Sequence, residues 1–284
     1  MLELSAHGKL NLSLDVLGRR ADGYHDLRMV MQSVVLSDAV RIQVGTGAPL
    51  RVSTNRSFLP NDERNLAAIA ARRFADATGC DFGGISIHIQ KEIPVCAGMG
   101  GGSSDAAAVI CGLDELMETH LSAAALEEIG AAVGSDVPYC VRGGTTLALG
   151  RGELLRDLPT LPTCHAVLCK PNFPVSTPEL FAAIDGVKLR HHPDTTGLCQ
   201  ALAAGDLPRV AQRMYNVFEA ALPPRRREEV SAIKALLIAH GALGASMSGT
   251  GPTVFGLFAD KVAAQSAYEE LARSYRECFL TKTV

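Results

Sequence analysis

The sequence of 284 residues lacks tryptophan, and aromatic residues make up only 5% of it. None of its eight cysteines forms a Cys-x-x-Cys pair, which argues against a zinc site or a redox motif. We interpret the cysteines as free thiols of a reducing cytoplasmic compartment rather than as a disulfide framework. No uninterrupted apolar run approaches the length of a membrane-spanning helix, and no signal peptide is visible.

The charge balance also excludes some classes of partner. With 27 Lys and Arg against 30 Asp and Glu, the formal net charge is −3. No basic surface is expected, so we predict neither a nucleic-acid nor a membrane partner. The composition is compatible with any oligomeric state. The length favours two packed domains, and the Pro159–Pro162 segment is the best candidate for their boundary. We therefore predict domains at residues 1–158 and 159–284.

Glycine, by contrast, is concentrated in one stretch, with four glycines between positions 98 and 102. Ser103 and Ser104 follow, and then a helix-forming run continues to about Met117. Glycine lets backbone N–H groups approach a ligand closely, and a helix N-terminus adds unpaired donors. We expect Ser103 or Ser104 to cap this helix. The stretch predicts a nest for phosphate, although a glycine-rich turn before a capped helix fits the same composition.

Other phosphate-binding patterns do not fit this stretch. The Walker pattern requires lysine after its last glycine, and the dinucleotide fingerprint requires glycine at position 103, where this chain has Ser103. Asp81-Phe82-Gly83 spells the metal-binding tripeptide of protein kinases, but it precedes the glycine stretch and no His-Arg-Asp loop exists. We interpret it as a turn.

Hydrophobic periodicity predicts an α+β fold. Alternation over residues 2–16 and 85–89 indicates strands, and we interpret the first fifty residues as an antiparallel meander. A helix that opens at Asn61–Glu63, with Leu66 and Phe74 on one stripe, should end at Gly79. Ser135–Pro138 reads as a tight connection, because proline does not continue a helix. Further strands are predicted at 29–35, 40–44, 50–52, 147–149, 165–169, 245–247, 253–258 and 277–281, and further helices at 122–134, from 177, 195–204, 207–214, 226–240 and 260–274.

Two side chains are candidates for catalysis. Lys9 lies in a mostly apolar strand and is either a solvated lysine or a cation near a transferring phosphoryl group. Asp136 follows a helix and precedes a proline, so it either caps a turn or accepts the proton of a substrate hydroxyl. The residue types alone leave both choices open.

Five segments occur in a recognisable order: Lys9–Leu12, Gly18–His25, the glycine stretch, Gly134–Pro138 and Ser248–Gly251. Together they resemble the GHMP kinases, which phosphorylate small metabolites such as homoserine, mevalonate and galactose. Met99 replaces the leucine usual in the glycine signature. The likeness runs from about Ser5 to Phe258. Its most specific part, Asp22–His25, is similar to the branch that acts on a cytidine diphosphate-linked methylerythritol in the non-mevalonate isoprenoid precursor pathway.

The resemblance implies a two-domain α+β GHMP kinase fold. It implies an N-terminal domain with a mixed or antiparallel sheet and helices, a ferredoxin-like C-terminal domain, and an active site in the cleft between them. It also implies that ATP, with Mg²⁺, phosphorylates the 2-hydroxyl of the methylerythritol moiety. Lys9 and Asp136 would be the catalytic pair. One departure is His7-Gly8 before Lys9, where the family usually has Pro-Ala.

The remaining site residues follow from the same resemblance. Tyr24 and Phe181 would cover the two faces of cytosine and His25 would bond its polar edge, although Phe181 also suits core packing of an amphipathic helix. Asp105 either helps to position magnesium or favours the helix N-terminus, and we prefer the second interpretation. Further substrate contacts would come from Asn11, Thr177, Gly249 and Thr250. Asn65 either lies near the ATP base or only caps a helix. The other ATP contacts would come from Pro94, Val95, Cys96, Ala97, Gly98, Met99, Gly100, Gly101, Gly102, Ser103 and Ser104.

Two alternatives remain. Another GHMP kinase, of homoserine or mevalonate type, has no base to clamp between Tyr24 and Phe181. A non-catalytic nucleotide or sugar sensor on the same fold has no need of both Lys9 and Asp136.

Overall fold

The computed structural model describes all residues from Met1 to Val284. The strands are β1 Leu2–Arg19, β2 His25–Val44, β3 Arg51–Thr54, β4 Ile85–Gln90, β5 Thr145–Gly150, β6 Leu154–Asp157, β7 His165–Lys170, β8 Tyr215–Asn216, β9 Gly244–Met247, β10 Val254–Phe258 and β11 Glu277–Lys282. The helices are α1 Leu66–Thr78, α2 Gly101–Leu116, α3 Ala123–Ala131, α4 Val137–Arg142, α5 Thr177–Ile184, α6 Thr195–Ala203, α7 Leu207–Gln212, α8 Pro224–Ala239 and α9 Lys261–Ala272, with a 3-10 helix at Val217–Ala221. None of these helices is both long and apolar enough to cross a membrane.

The chain forms two compact units that interleave along the sequence. Unit 1 comprises Met1–Gly8, Leu36–Val95 and Gly100–Gly143. Unit 2 comprises Lys9–Val35, Cys96–Met99 and Gly144–Val284. The long strands β1 and β2 therefore each contribute residues to both units. The sequence-based boundary between residues 158 and 159 stays a prediction.

Unit 1 packs helices against one face of a sheet. Strand β4 pairs antiparallel with the second half of β2 and parallel with β3. The alternating residues Ile85, Ile87 and Ile89 are buried, as the sequence pattern predicts. Helix α2 lies close to the sheet, because a Cβ atom on Gly112 would come within 2.6 Å of Ile42 Cδ1. The buried small residues of α1 and α2 make this approach possible: Ala67, Ala68, Ala70, Ala71, Ala106, Ala107 and Ala108.

Unit 2 contains a second sheet with the order β11-β7-β10-β9, all antiparallel. Helices α8 and α9 pack on it. In the same unit, β5 pairs with the first half of β2 and with β6, and β8 pairs parallel with β1. Strand β10 is buried along its whole length, which is why its sequence reads as a continuous apolar run.

Most predicted elements are confirmed, and three interpretations are wrong. Strand β2 is one strand, not two, because the polar Asp38 that interrupts its pattern is buried in an ion pair with Lys91 instead of turning the chain. The antiparallel meander fails at β3, since helix α1 connects β3 to β4 and makes them parallel. Pro138 does not end a helix but occupies the first turn of α4, where its missing N–H costs nothing.

Candidate active site

The glycine stretch forms an irregular loop that enters helix α2. Gly98 and Gly100 have left-handed φ angles of 73° and 69°, and so does Cys96 with 52°. A Cβ atom on Gly98 would lie 2.1 Å from the carbonyl oxygen of Ser248. Only glycine fits this position, because both its dihedral angle and its space exclude a side chain.

Helix α2 begins without a side-chain cap. Its N-cap residue is Gly100, and no side chain bonds the first N–H groups. The expectation that Ser103 or Ser104 caps the helix is therefore wrong: both lie inside it. The Ser104 hydroxyl instead donates to the carbonyl oxygen of His7 over 2.6 Å. The first-turn N–H groups keep the donor character that an anion requires.

Within unit 2, the loop Cys96–Met99 contacts the loop after β9. Ser248 Oγ donates to the carbonyl oxygen of Gly98 over 2.9 Å, and the Thr253 N–H donates to that of Ala97 over 3.3 Å. The Asn216 amide supports this second loop by donating to the carbonyl oxygens of Met247 and Gly249, both over 2.7 Å. The glycine loop and the loop after β9 are thus joined by direct hydrogen bonds.

Strand β1 presents Lys9 at the same place. The Lys9 N–H donates to the carbonyl oxygen of Met99 over 2.9 Å, and its Nζ donates to Asn11 Oδ1 over 2.7 Å. The Asn11 N–H in turn donates to Ser248 Oγ over 3.2 Å. Lys9 is only 4% exposed, so the interpretation as a solvated surface lysine is wrong. A buried ammonium that is fixed by a hydrogen bond beside the glycine loop is suited to stabilising negative charge on an anion.

Asp136 belongs to unit 1, whereas Lys9 belongs to unit 2. It occupies the N-cap position of α4, yet its side chain makes no capping hydrogen bond there. The carboxylate is half-buried. The N-cap position of Asp136 agrees with the interpretation that this residue caps a turn. The lack of a side-chain capping hydrogen bond disagrees with that interpretation.

The predicted base-binding residues divide into a packed group and an exposed ring. His25 is buried, and its ring lies 5.0 Å from that of Phe181, which meets Phe218 edge-on at 4.8 Å. Tyr24 is 54% exposed, with the Arg151 guanidinium 4.9 Å from its ring centre. Phe181 thus packs against neighbouring rings while remaining half-buried.

The other predicted contacts occupy defined positions. Thr177 and Thr250 are joined through their hydroxyls over 2.9 Å. Asn65 caps helix α1, since its Oδ1 accepts from the Ala67 N–H over 2.9 Å and its Nδ2 donates to the carbonyl oxygen of Pro60. Its contact with ATP stays a prediction.

A buried charge cluster in unit 1 escapes the sequence analysis. Lys91 Nζ donates to both Asp38 and Asp105, and all three side chains are buried. Asp38 Oδ1 also accepts from the N–H groups of Glu92 and Ile93 at the entrance of the glycine loop. Burial raises the pKa of Asp105 to about 7, an effect that the charge of Lys91 opposes only partly.

This cluster overturns the interpretation of Asp105 as a residue that favours the helix N-terminus. No acidic residue lies in the first turn of α2, and the carboxylate points to Lys91 instead. Across residues 1–284, no group of three or more His, Cys, Asp and Glu side chains is arranged to hold a metal ion.

Comparison with known proteins gives two family matches. The model of the GHMP kinases N-terminal domain matches residues 65–144, and that of the GHMP kinases C-terminal domain matches residues 198–277. The chain is 41% identical over 285 residues to 4-diphosphocytidyl-2-C-methyl-D-erythritol kinase from Clostridium perfringens, covering 100% of this chain and 98% of the relative. It is 39% identical to the enzyme of that name from Alkaliphilus metalliredigens, covering 99% and 96%.

Solved structures agree with these relatives. The fold is similar to a crystal structure of 4-(cytidine 5'-diphospho)-2C-methyl-D-erythritol kinase, with a TM-score of 0.82 and 30% identity over 99% of both chains. A homoserine kinase from Cytophaga hutchinsonii has a TM-score of 0.74 at 19% identity, covering 100% of this chain and 94% of that one. This second likeness concerns the fold alone.

Proposed function

Because the chain belongs to the 4-diphosphocytidyl-2-C-methyl-D-erythritol kinase family of GHMP kinases, we propose that it transfers the γ-phosphoryl group of ATP to the 2-hydroxyl of 4-diphosphocytidyl-2-C-methyl-D-erythritol. It is a small-molecule kinase of the non-mevalonate isoprenoid pathway. The observation that carries the phosphoryl-transfer proposal is the junction at Lys9, whose ammonium donates to Asn11 and whose backbone N–H donates to Met99 in the glycine loop. A kinase acting on an alcohol needs such a fixed cation beside its phosphate loop.

The glycine loop fits the phosphates of ATP. Its backbone turns at Gly98 and Gly100, and no side chain forms a capping hydrogen bond at the start of α2. We assign the phosphate contacts to the backbone N–H groups of Gly101, Gly102 and Ser103, which are the donors that a phosphate accepts from. Asn65 and the segment Pro94–Ser104 complete the proposed ATP contacts.

Magnesium completes the proposed cofactor set. When bound, it would neutralise charge on the phosphates of ATP. The absence of a preformed three-ligand cluster is compatible with a magnesium ion that arrives with the nucleotide. Activity should therefore be lost in excess chelator and return when magnesium is added back.

The catalytic roles divide between two residues. We assign to Asp136 the acceptance of the proton from the substrate hydroxyl, or the orientation of that hydroxyl if transfer is dissociative. We assign to Lys9 the stabilisation of negative charge on the transferred group. Asn11 holds Lys9 Nζ and so fixes the direction of its charge.

The substrate base is proposed to lie on Phe181 and Tyr24. His25, packed against Phe181, is oriented by Asp185 and is proposed to bond the polar edge of cytosine. Thr177, Gly249 and Thr250 provide polar groups for the diphosphate or polyol. The eight free cysteines suit the reducing cytoplasm, which is the proposed location.

A substrate panel tests this function. ADP release is measured with the cytidyl substrate, homoserine, mevalonate and methylerythritol phosphate as acceptors. We expect turnover of the cytidyl substrate and very slow turnover of the acceptor that lacks the base. Equal turnover of homoserine or mevalonate would favour another GHMP kinase, and no ADP release with any acceptor would favour a sensor.

A further inference from the structure

Asp185, in unit 2 directly after helix α5, has no substrate or ATP contact assigned to it in the proposed function, yet its carboxylate contacts a residue of the proposed base site. Its Oδ1 lies 2.7 Å from His25 Nε2, and the His25 side chain is only 7% exposed. Its Oδ2 lies 3.6 Å from Nη1 of Arg19. The carboxylate therefore sits between a cation and an imidazole that is packed against Phe181.

An ionised carboxylate accepts hydrogen bonds and donates none. The contact with Asp185 therefore requires a proton on His25 Nε2. In a neutral imidazole one nitrogen carries the proton and the other is an acceptor. Asp185 thus fixes the tautomer in which Nδ1 offers a lone pair.

We propose that Asp185 is a positioning residue that makes His25 Nδ1 an acceptor and so selects a pyrimidine with an amino group at ring position 4. This inference rests on the proposed function, since it supposes that His25 faces the substrate base. Cytosine offers an amino donor at that position, and uracil offers a carbonyl acceptor. A carbonyl opposite the lone pair leaves two acceptors facing each other, so the uridyl substrate is rejected.

The substitutions Asp185→Asn and Asp185→Ala separate this role from a structural one. An asparagine amide bonds either tautomer, because it has both a donor and an acceptor, and alanine removes the partner altogether. Residue 185 is exposed at the end of a helix, so both variants should fold. The matched control is Asp26→Asn, whose carboxylate also lies in this region but pairs with Arg20 over 2.8 Å.

The kinetic readout is the ratio of kcat/KM for the cytidyl substrate to that for its uridyl analogue. In both Asp185 variants the ratio should fall about tenfold or more, mainly through KM of the cytidyl substrate, while KM for ATP stays constant. Asp26→Asn should keep the wild-type ratio. An unchanged ratio in both Asp185 variants would overturn the proposal.

A spectroscopic readout is independent of turnover. In protein labelled with ¹⁵N-histidine, the His25 Nδ1 resonance should have the unprotonated position in the wild type and move toward the average of the two tautomers in Asp185→Ala. A wild-type ring protonated at Nδ1 would overturn the proposal. If the wild type phosphorylates no cytidyl substrate but His25 has the expected tautomer, the proposed function is refuted. The conclusion that Asp185 fixes the His25 tautomer would still stand.

Discussion

Lys91 Nζ donates a hydrogen bond of 2.5 Å to Oδ2 of Asp105, a residue of helix α2, and both side chains are buried. Asp38 accepts from the same ammonium. Two carboxylates thus share one lysine, and the second oxygen of Asp105 has no hydrogen-bond partner. When both carboxylates are ionised, the interior holds more negative charge than the one cation balances.

The cluster predicts a pH-dependent stability. The pKa of Asp105 is about 7 in the folded protein, against about 4 in an unfolded chain. Between these values the folded protein holds the extra proton, so the free energy of unfolding falls as the pH rises from about 4 to about 7 and is flat above it. Asp105→Asn should remove this fall in stability, which totals on the order of 1–4 kcal/mol between about pH 4 and pH 7. Urea unfolding at pH 5, 6, 7 and 8 measures it.

Two further variants serve as controls for this prediction. Asp76→Asn changes an exposed aspartate of helix α1 and should leave the slope as in the wild type. Lys91→Met leaves both carboxylates without their cation and should cost about 3–5 kcal/mol. Parallel pH profiles for the wild type and Asp105→Asn would show that Asp105 is not the group responsible.

Ser103 and Ser104, in the first turn of helix α2, form a second, matched test. Ser104 is buried and bonds the His7 carbonyl, so Ser104→Ala should lower the free energy of unfolding by about 1 kcal/mol. Ser103 caps nothing, so Ser103→Ala should stay within about 0.5 kcal/mol of the wild type. Because Ser103→Ala keeps the backbone N–H assigned to phosphate, KM for ATP should stay unchanged unless the Ser103 hydroxyl also contacts phosphate, in which case KM should rise about 3- to 10-fold. The reverse order of stabilities would contradict the assignment of the Ser104 hydroxyl.

These serines illustrate what the sequence can and cannot predict about the fold. The body and the end of helix α1 are predictable because their signals are local: the apolar stripe and the left-handed Gly79. Its start is not, since the sequence places it at Asn61–Glu63 and the helix begins at Leu66, after the cap at Asn65. The single strand β2 is not, because it depends on Asp38 meeting Lys91, a partner 53 residues away. The cap of α2 is missed for the same reason, since Ser104 bonds a carbonyl 97 residues distant.

The site follows the same rule. The glycine loop is predictable from the sequence because a run of glycines indicates an unusual backbone conformation by itself. Lys9 is identified through the resemblance to the GHMP kinases. The contact of His25 with Asp185 spans 160 residues. The sequence around Asp185 suggests no more than a helix end, so only the folded chain reveals this pair.

The catalytic pair is tested by isosteric and charge-removing substitutions. Asp136→Asn should keep the fold and substrate binding but lower kcat about 10²–10⁴-fold, because the amide does not accept the proton. Lys9→Met should also lower kcat strongly through lost charge stabilisation. Asp260→Asn is the matched control, as Asp260 caps helix α9 by accepting from the Ala263 N–H over 2.8 Å and asparagine caps equally well. Near wild-type turnover in Asp136→Asn would leave that residue a structural role only.

The last prediction concerns recognition of the base. If Tyr24 and Phe181 stack on cytosine, truncation of either to alanine should cost about 1–3 kcal/mol of binding. The loss should appear in KM for the cytidyl substrate and scarcely in KM for ATP. Phe181 also packs against Phe218 and His25, so Phe181→Ala should lower stability as well. Tyr24 is exposed, so Tyr24→Ala should affect binding alone.

Tyr24→Ala is therefore the better test of base binding, because it should not change stability. Urea unfolding should be measured together with the kinetics for both variants. Phe58→Ala is the control for a lost exposed aromatic ring, since Phe58 is 70% exposed, and it should change neither KM nor stability. Arg151 lies over the Tyr24 ring, and a base that stacks on the same face has to displace it. Arg151→Gln should then leave KM unchanged or lower it, because the competing cation is gone. A large rise in KM for the cytidyl substrate in Arg151→Gln would mean that Arg151, not the Tyr24 ring, holds the substrate.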